Sequence, residues 1–389
     1  MKIISSRSAD HHHKAHDIRQ IGIVVASMIL LLSLSAGCDI VVDIPTPTAH
    51  VAPTTIPISD SWWQVYFTEP DTINSSENPV GSIMEKLIER INQAENSIHI
   101  ASFEFDLKPV AEALIAAEQR AVEVLWITDD ENGIEADAME SRLFPLMKKG
   151  GVEIKGDNRS ALMHNKFWIF DGKTVWTGAT NITENGIFKN NNNVIVIESQ
   201  ALARIFEREF AEMWDGHFGP TSPSTVSSQS VTIEETPIQV LFASEDEVMQ
   251  QLIPIIEEAQ QNIRFMAFSF TDDELGNAIV ERAQSGVDVK GIFETRGSET
   301  ESSEMERLYC AKVPVLQDGN PSTFHHKVFV IDDEIVITGS LNFSKNADES
   351  NDENVVILAN PEIAAAFLNE FETRWQEAKE PPAGTFDCR

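Results

Sequence analysis

The feature that most constrains this chain is that its second half repeats its first, with a motif copied at a fixed offset. His164 and Lys166 are followed by Asp171, Gly178, Asn181 and Asn193. His325 and Lys327 are followed by Asp332, Gly339, Asn342 and Asn354, each 161 positions further on (325 − 164 = 161). Self-similarity at a constant period marks an internal duplication, and it governs how every local pattern is read. The likeness extends beyond the motif. Gln64-Val65-Tyr66-Phe67 matches Gln239-Val240-Leu241-Phe242, and residues 98–103 match residues 263–268. Whatever this chain folds into must contain one unit twice.

Each unit alternates strand and helix signals. A short strand at residues 64–67 or 239–242 precedes an amphipathic helix at 83–94 or 248–259, then a largely apolar strand of the buried kind. Lys166 and Lys327 open β-rich runs that meet turns at Asp171-Gly172 and Asp332-Asp333 and return through residues 174–177 and 334–338, which predicts a hairpin in each half. Each half closes with a helix carrying Phe206, Phe210 and Trp214, or Phe367, Phe371 and Trp375. The i, i+4, i+8 spacing predicts a core-facing stripe rather than a cofactor site. Strands alternating with helices predict an α/β fold, with mixed sheets flanked by helices. Two such halves, each with half of a site, predict a pseudo-twofold pair with one pocket at the interface.

The remaining segments divide the chain. Lys2, Arg7, Lys14 and Arg19 precede an apolar run over 21–34 and then Ser35-Ala36-Gly37-Cys38, which predicts a signal peptide over 1–37. The small residues ending in Cys38 resemble a bacterial lipobox, although Ser35 stands where Leu is more usual. The resemblance implies a lipidated Cys38 and a membrane-anchored protein outside the cytoplasm; an uncleaved anchor is the other reading. His11 to His13 lie before the apolar run and are not read as a metal site. Residues 38–60, rich in Pro, Thr and Val, predict an extended tether. The first repeat is placed at 61–216, a Pro/Ser/Thr/Gly-rich linker at 217–236, the second repeat at 237–378 and a C-terminal tail at 379–389. Cys310 and Cys388 can pair in an oxidising compartment and would then tie the tail to the second repeat; two free thiols remain the alternative.

Two His and two Lys brought together suit a phosphodiester. Hydrolysis needs the non-bridging oxygens neutralised and the leaving alkoxide protonated. Ammonium groups address the first need as fixed electrostatic stabilisation. Imidazoles address the second, because His can serve as nucleophile, base or acid near neutral pH. Asn181 and Asn342 would add amide donors.

These residues resemble the phospholipase D superfamily, whose signature is His-x-Lys-x₄-Asp-x₆-Gly-Ser-x-Asn. The resemblance covers about residues 62–377. It implies two phospholipase D-like repeats forming one active site, a phosphohistidine intermediate, and no metal or other cofactor. By that resemblance Lys166, Lys327, Asn181 and Asn342 hold phosphate, together with Ser340, while His164 and His325 share the nucleophile and acid roles. Asp171 and Asp332, just after the motif strands, are counted among the catalytic residues, organising the site through hydrogen bonds rather than touching phosphorus. The second half matches the signature fully, with Gly339-Ser340-Leu341-Asn342, whereas the first has Ala179 in place of Ser beside Thr180. A further Asn-x-Glu-Asn, Asn351-Asp352-Glu353-Asn354, has Asn190-Asn191-Asn192-Asn193 as its counterpart, so Asn192 stands where a carboxylate would. A carboxylate bonded to an imidazole fixes its tautomer and raises its basicity. If Glu353 orients His325, then His325 is the nucleophile; in several family members the N-terminal motif supplies it, which points to His164. The assignment stays open at this stage.

The chain carries 62 acidic and 29 basic residues, a formal net charge of −33. Such a surface repels polyanions and disfavours a nucleic-acid partner. The leading expectation is therefore phospholipase D-type hydrolysis of a phospholipid head group to phosphatidic acid, by a monomer that is an internal pseudo-dimer. A non-specific endonuclease of the same superfamily is the alternative. A catalytically silent phosphate-binding module, suggested only by Ala179, is the alternative of another class.

Overall fold

The computed structural model describes residues 61–222 and 229–388. The signal segment, Cys38 and the whole of the expected tether lie outside them. Among the described residues no helix is long and apolar enough to cross a membrane.

Two mixed sheets carry the fold. The first contains β1 (Trp63–Phe67), β2 (Ser97–Ser102), β3 (Glu123–Thr128), β4 (Glu153–Gly156), β5 (Lys166–Phe170), β6 (Thr174–Gly178) and β7 (Asn193–Glu198). Their spatial order is β1-β7-β6-β5-β2-β3-β4. The second contains β8 (Gln229–Ile233), β9 (Thr236–Ala243), β10 (Asn262–Ala267), β11 (Asp288–Phe293), β12 (Val315–Gln317), β13 (Lys327–Ile331), β14 (Ile335–Gly339) and β15 (Glu353–Ala359). Its order is β12-β11-β10-β13-β14-β15-β9-β8, the same arrangement with one strand added at an edge. The duplication read from the sequence is thus a duplication of topology.

The central position of β5 and β13 follows from their composition. Lys-Phe-Trp-Ile-Phe and Lys-Val-Phe-Val-Ile are buried at every residue, as strands covered on both faces must be. Each enters a tight hairpin. Asp171 and Gly172 have φ of 54° and 59°, and Asp332 and Asp333 have 52° and 56°. Left-handed geometry at both central positions is what a two-residue hairpin turn of the right twist demands.

Helices Ile83–Gln93, Lys108–Gln119 and Leu143–Lys149 cover the outer face of the first sheet in one apolar core. Val248–Glu257, Asp273–Gln284 and Glu304–Cys310 do the same for the second. A third core is shared: it joins residues of both sheets to the long helices Gln200–Trp214 and Pro361–Glu377. Here the Phe206 ring meets Phe242 at 5.4 Å and Phe67 meets Phe367 at 5.2 Å, so each long helix touches the other repeat. The aromatic stripes are core, as their spacing predicts: Phe206, Phe210, Phe367 and Phe371 are buried, and Trp214 and Trp375 stack on their margins.

Two segments differ from the sequence expectation or complete it. Residues 229–233, expected within the linker, form β8, which pairs antiparallel with β9 around Glu234 and Glu235. Gln-Ser-Val-Thr-Ile reads as polar because β8 is an edge strand ordered mainly by main-chain pairing. In the tail, Lys379 exchanges backbone hydrogen bonds with Gln317, and Cys388 is disulfide-bonded to Cys310.

Candidate active site at the repeat interface

The two motifs meet because the repeats exchange short segments. Met163 pairs with Asp352, and the His164 N–H donates to the Asp352 carbonyl at 2.9 Å. Reciprocally, Asn191 pairs with Phe324, and the His325 N–H donates to the Asn191 carbonyl at 2.9 Å. Each motif histidine therefore hangs on the other repeat's Asn-rich segment. Two buried side-chain bonds stitch the same seam: Asn354 Nδ2 donates to Thr177 Oγ1 at 2.7 Å, and Asn193 Nδ2 to Thr338 Oγ1 at 2.8 Å. The motif glycines let the neighbouring strand of their own sheet, which carries these asparagines, pack close. A Cβ on Gly178 would lie 2.3 Å from the Asn193 carbonyl oxygen, and one on Gly339 2.1 Å from that of Asn354.

The exchange decides which histidine Glu353 supports. Its carboxylate oxygens lie 2.8 and 2.7 Å from His164 Nδ1, not beside His325. The expectation that Glu353 orients the histidine of its own repeat is corrected: β15 begins where the opposite motif crosses it. Glu353 is fully buried and is also held by Asn351 and Ser340. His325 Nδ1 instead faces two neutral acceptors, the Ala179 carbonyl at 3.1 Å and Asn192 Oδ1 at 3.0 Å. A carbonyl can only accept, so the His325 proton is fixed on Nδ1. In both rings Nε2 is left for chemistry.

The ammonium groups are built symmetrically. Lys166 Nζ donates to the His164 carbonyl at 2.8 Å and lies 5.1 Å from the Phe103 ring centre. Lys327 Nζ donates to the His325 carbonyl at 3.0 Å and lies 4.7 Å from Phe268. The same two rings pack against His164 and His325, both at 4.8 Å. All four chemical groups are at least nine-tenths buried. Burial lowers Lys166 to about 8, against the opposing fields of Glu353, Glu104 and Asp129. Burial and then the field of Lys166 hold Lys327 well below the usual lysine range. Burial, followed by the two lysines, holds both imidazoles well below 6.5, so both rest neutral. Glu353 is pushed up to about 7 by burial, with Lys166 opposing. Two ammonium groups whose fields both depress the imidazoles form an anion site that waits for its charge.

A family model described as "Cardiolipin synthase, PLD-like domain" matches residues 87–214 and again 252–375, together more than half of the chain. The chain belongs to the phospholipase D-like family. Among its curated relatives are a mitochondrial cardiolipin hydrolase of Mus musculus, 32% identical over 33% of this chain and 58% of the relative, and a phospholipase D of Rickettsia conorii, 33% identical over 31% of this chain and 60% of the relative. The matched region thus spans about three fifths of each relative's own length. The solved phosphatidylserine synthase of Haemophilus influenzae covers 81% of this chain and 87% of its own at 15% identity, with a TM-score of 0.59, and so shares the two-repeat fold.

The phospholipase D-like motif does not gather all its residues in the pocket. Asp171 and Asp332 lie at the far ends of β5 and β13, about 16 Å along the strand from the lysines. Asp171 accepts from the backbone N–H groups of Glu95, Asn96 and Ser97, and Asp332 from those of Gln260, Gln261 and Asn262. Partial burial would raise each carboxyl, but these three donors outweigh it and hold both below the ordinary range. Their inclusion among catalytic residues is therefore corrected: they bind the loops entering β2 and β10 to the hairpins. Ser340 is likewise committed, accepting the Asn354 N–H at 3.0 Å and contacting Glu353. It positions Glu353 rather than facing phosphate. Thr180 cannot replace a serine at 179, because its hydroxyl donates to the Asn193 carbonyl at 2.9 Å.

Asn181 is half committed. Its Nδ2 donates to Glu104 Oε2 at 2.7 Å, and its Oδ1 is buried without a partner, as is that of Asn342. Sequence reasoning missed Glu104, Phe103 and Phe268. The phenylalanines were legible as a matched pair at the ends of β2 and β10. Glu104 faces Ser269 in the repeat alignment and left no signal.

Proposed function

We propose that the chain is a phosphodiesterase that hydrolyses a phospholipid head group to phosphatidic acid through a phosphohistidine. The observation that carries this reading is the crossed contact of Glu353 with His164 beside two buried lysines. In the proposed sequence the substrate phosphate enters between Lys166 and Lys327 and neutralises their field. That neutralisation lets His325 take up a proton. His164 donates Nδ1–H to Glu353 and attacks phosphorus through Nε2, forming the P–N bond. The P–O bond to the leaving group breaks, and His325 gives its proton to that oxygen. Neutral His325 then takes a proton from water, whose oxygen attacks phosphorus; the P–N bond breaks and His164 is restored. Amide groups of Asn181 and Asn342 steady the non-bridging oxygens. The lysines supply the positive charge that metal ions provide in other phosphodiesterases.

A lipid substrate is supported by the printed names of the relatives and by the net charge of −33, which opposes a polynucleotide. Anchoring outside the cytoplasm through Cys38 is part of the same proposal; the Cys310–Cys388 bond supports it, since disulfides persist in oxidising compartments. One chain supplies every group named, so a monomer is the proposed functional unit. The test is a parallel assay of phosphatidylcholine, cardiolipin and single-stranded DNA with chelator present, using His164→Ala and His325→Ala as controls. Lipid turnover that persists in chelator and vanishes in both variants is expected. Cleavage of DNA alone would replace the lipid reading with a nuclease, and turnover that survives His325→Ala would reject the mechanism. Enzyme denatured rapidly during turnover without acid should carry the substrate phosphate on the peptide containing His164.

A further inference from the structure

The pseudo-symmetry exposes a second cluster, away from the phosphate site. In the second repeat Glu370 lies on the long helix Pro361–Glu377, and Oε1 receives Arg374 Nε at 2.9 Å and lies 3.3 Å from His326 Nε2. Its counterpart 161 positions earlier is Glu209, but Arg374 is replaced there by Met213 and His326 by Asn165. Glu209 has kept the carboxylate and lost both partners. It is 3% exposed, and its Oε2 is buried without any partner. What it meets instead is more acid. Glu245, in the turn between β9 and the helix Val248–Glu257, approaches within hydrogen-bonding reach, and its own Oε2 is also buried and unpartnered. Glu212 lies one turn along the helix Gln200–Trp214 from Glu209. One oxygen from each of the three lies within 4.8 Å of the others. The nearby Arg159 is already engaged by Asp157 and Asp352.

We propose that Glu209, Glu212 and Glu245 bind a divalent cation with a preference for calcium, tying the closing helix of the first repeat to the entry turn of the second. The ligand set carries the preference. Three protein carboxylates converging on one point suit calcium, which takes about six to eight oxygen ligands in flexible geometry, whereas magnesium usually takes one or two carboxylates and keeps several waters. An all-carboxylate set also disfavours zinc and copper, which prefer nitrogen and sulfur. The cation takes the place of the Arg374 charge and the His326 contact that serve Glu370. The site lies across the shared core, beside the Phe206–Phe242 contact, so loading it locks one repeat to the other.

The test is calorimetric titration of the EDTA-stripped full chain with calcium and with magnesium at pH 7.5, together with melting curves. The expected result is one calcium per chain, magnesium at least tenfold weaker, and a rise of several degrees in Tm on adding calcium. Glu212→Gln and Glu245→Gln, both at partly exposed positions, are each expected to weaken calcium at least tenfold. Because Glu209→Gln alters a buried position, the conclusion does not depend on it. Absence of stoichiometric binding, with one melting temperature in calcium and in EDTA, would overturn the proposal and leave Glu209 and Glu245 as a proton-sharing pair. Calcium binding undiminished in the Glu212→Gln/Glu245→Gln double variant would overturn it too, since the ion would then sit elsewhere.

Discussion

Replacing Glu353 by Gln tests the site where its two halves differ. As His164 bonds to phosphorus its ring becomes cationic, and among the described residues the Glu353 oxygens at 2.7 and 2.8 Å from Nδ1 are the only carboxylate on either motif imidazole. With about 4 Å between charge centres and an effective dielectric near 20, that pairing contributes about 4 kcal/mol. At about 1.4 kcal/mol per decade this is about a thousand-fold in the rate of phosphoenzyme formation. Gln also turns an amide N–H toward Nδ1 and favours the tautomer that protonates Nε2, which removes the attacking lone pair. The expected result is a loss of at least a hundred-fold in kcat and kcat/KM for a nitrophenyl phosphodiester, with the burst of nitrophenol abolished. Folding should not suffer. Glu353 is pushed to about 7 by burial, so a neutral isostere relieves a buried charge and Tm should hold or rise. A folded Glu353→Gln variant within tenfold of the native rate would refute the assignment of His164 as nucleophile. So would phosphate recovered on His325.

Asp171→Ala and Asp332→Ala should each lower stability by about 2 kcal/mol through the loss of charge-assisted bonds to backbone N–H groups, while kcat per folded molecule changes less than threefold; denaturant melts paired with active-site titration separate the two. Lys166, held at about 8 by burial, should lose its charge within the working range, so KM for a phosphodiester should rise above pH 8 in a pH–rate series, and Lys166→Arg should reduce that rise to the part that Lys327, also depressed by burial, contributes. Asp157, Glu245, Glu304 and Glu353 are each raised by burial to about 7, from 3.8 for the aspartate and 4.5 for the glutamates. At these four groups the folded chain binds protons that the unfolded chain releases, so in EDTA their contribution to stability is greatest at the acid end, falls as pH rises from about 4 to about 7 and levels off above, against the opposite contribution of His164, His325 and His326, which burial keeps neutral; the stability of Glu304→Gln relative to the native chain should therefore rise from pH 5 to pH 7, and a constant or falling difference would contradict this. Asn193→Ala should destabilise more than Asn354→Ala, because Asn193 holds both Thr338 and His326 whereas the Asn354 amide oxygen has no partner.

What could be read from the sequence was whatever the duplication repeats. Strand and helix periods recur at matched positions, so the two sheets, the hairpins after Lys166 and Lys327, and the aromatic helices were legible before any coordinates. The four His and Lys were legible for a chemical reason, since few other roles call for that pairing twice. Illegible were the features that depend on one repeat crossing the other. Nothing in the local pattern states that residues 162–164 pair with residue 352, and hence that Glu353 serves His164. Asp171 and Asp332 misled for a different reason. A residue fixed in a motif can be there for the turn it closes, and a left-handed Asp accepting three backbone donors answers such a need. The strand β8 was hidden because an edge strand held by main-chain bonds requires little of its side chains.

The crossing also explains how two nearly identical halves can perform unlike steps. A symmetric pair of imidazoles, each buried beside two lysines, would offer two equivalent nucleophiles and no designated acid. The asymmetry rests on few positions: Glu353 against Asn192, with Ser340 against Ala179 behind them. Because Glu353, Asn192 and the Ala179 carbonyl each act on the opposite repeat, a substitution in one half changes the histidine of the other. Glu353 confers anionic support on His164, while Asn192 and the Ala179 carbonyl give His325 only neutral acceptors, which leaves its Nε2 proton the easier to surrender. Ala179, which from the sequence looked like a missing phosphate ligand, thus costs the site nothing there: its counterpart Ser340 is spent on Glu353, and where no carboxylate needs holding a serine has no work to do.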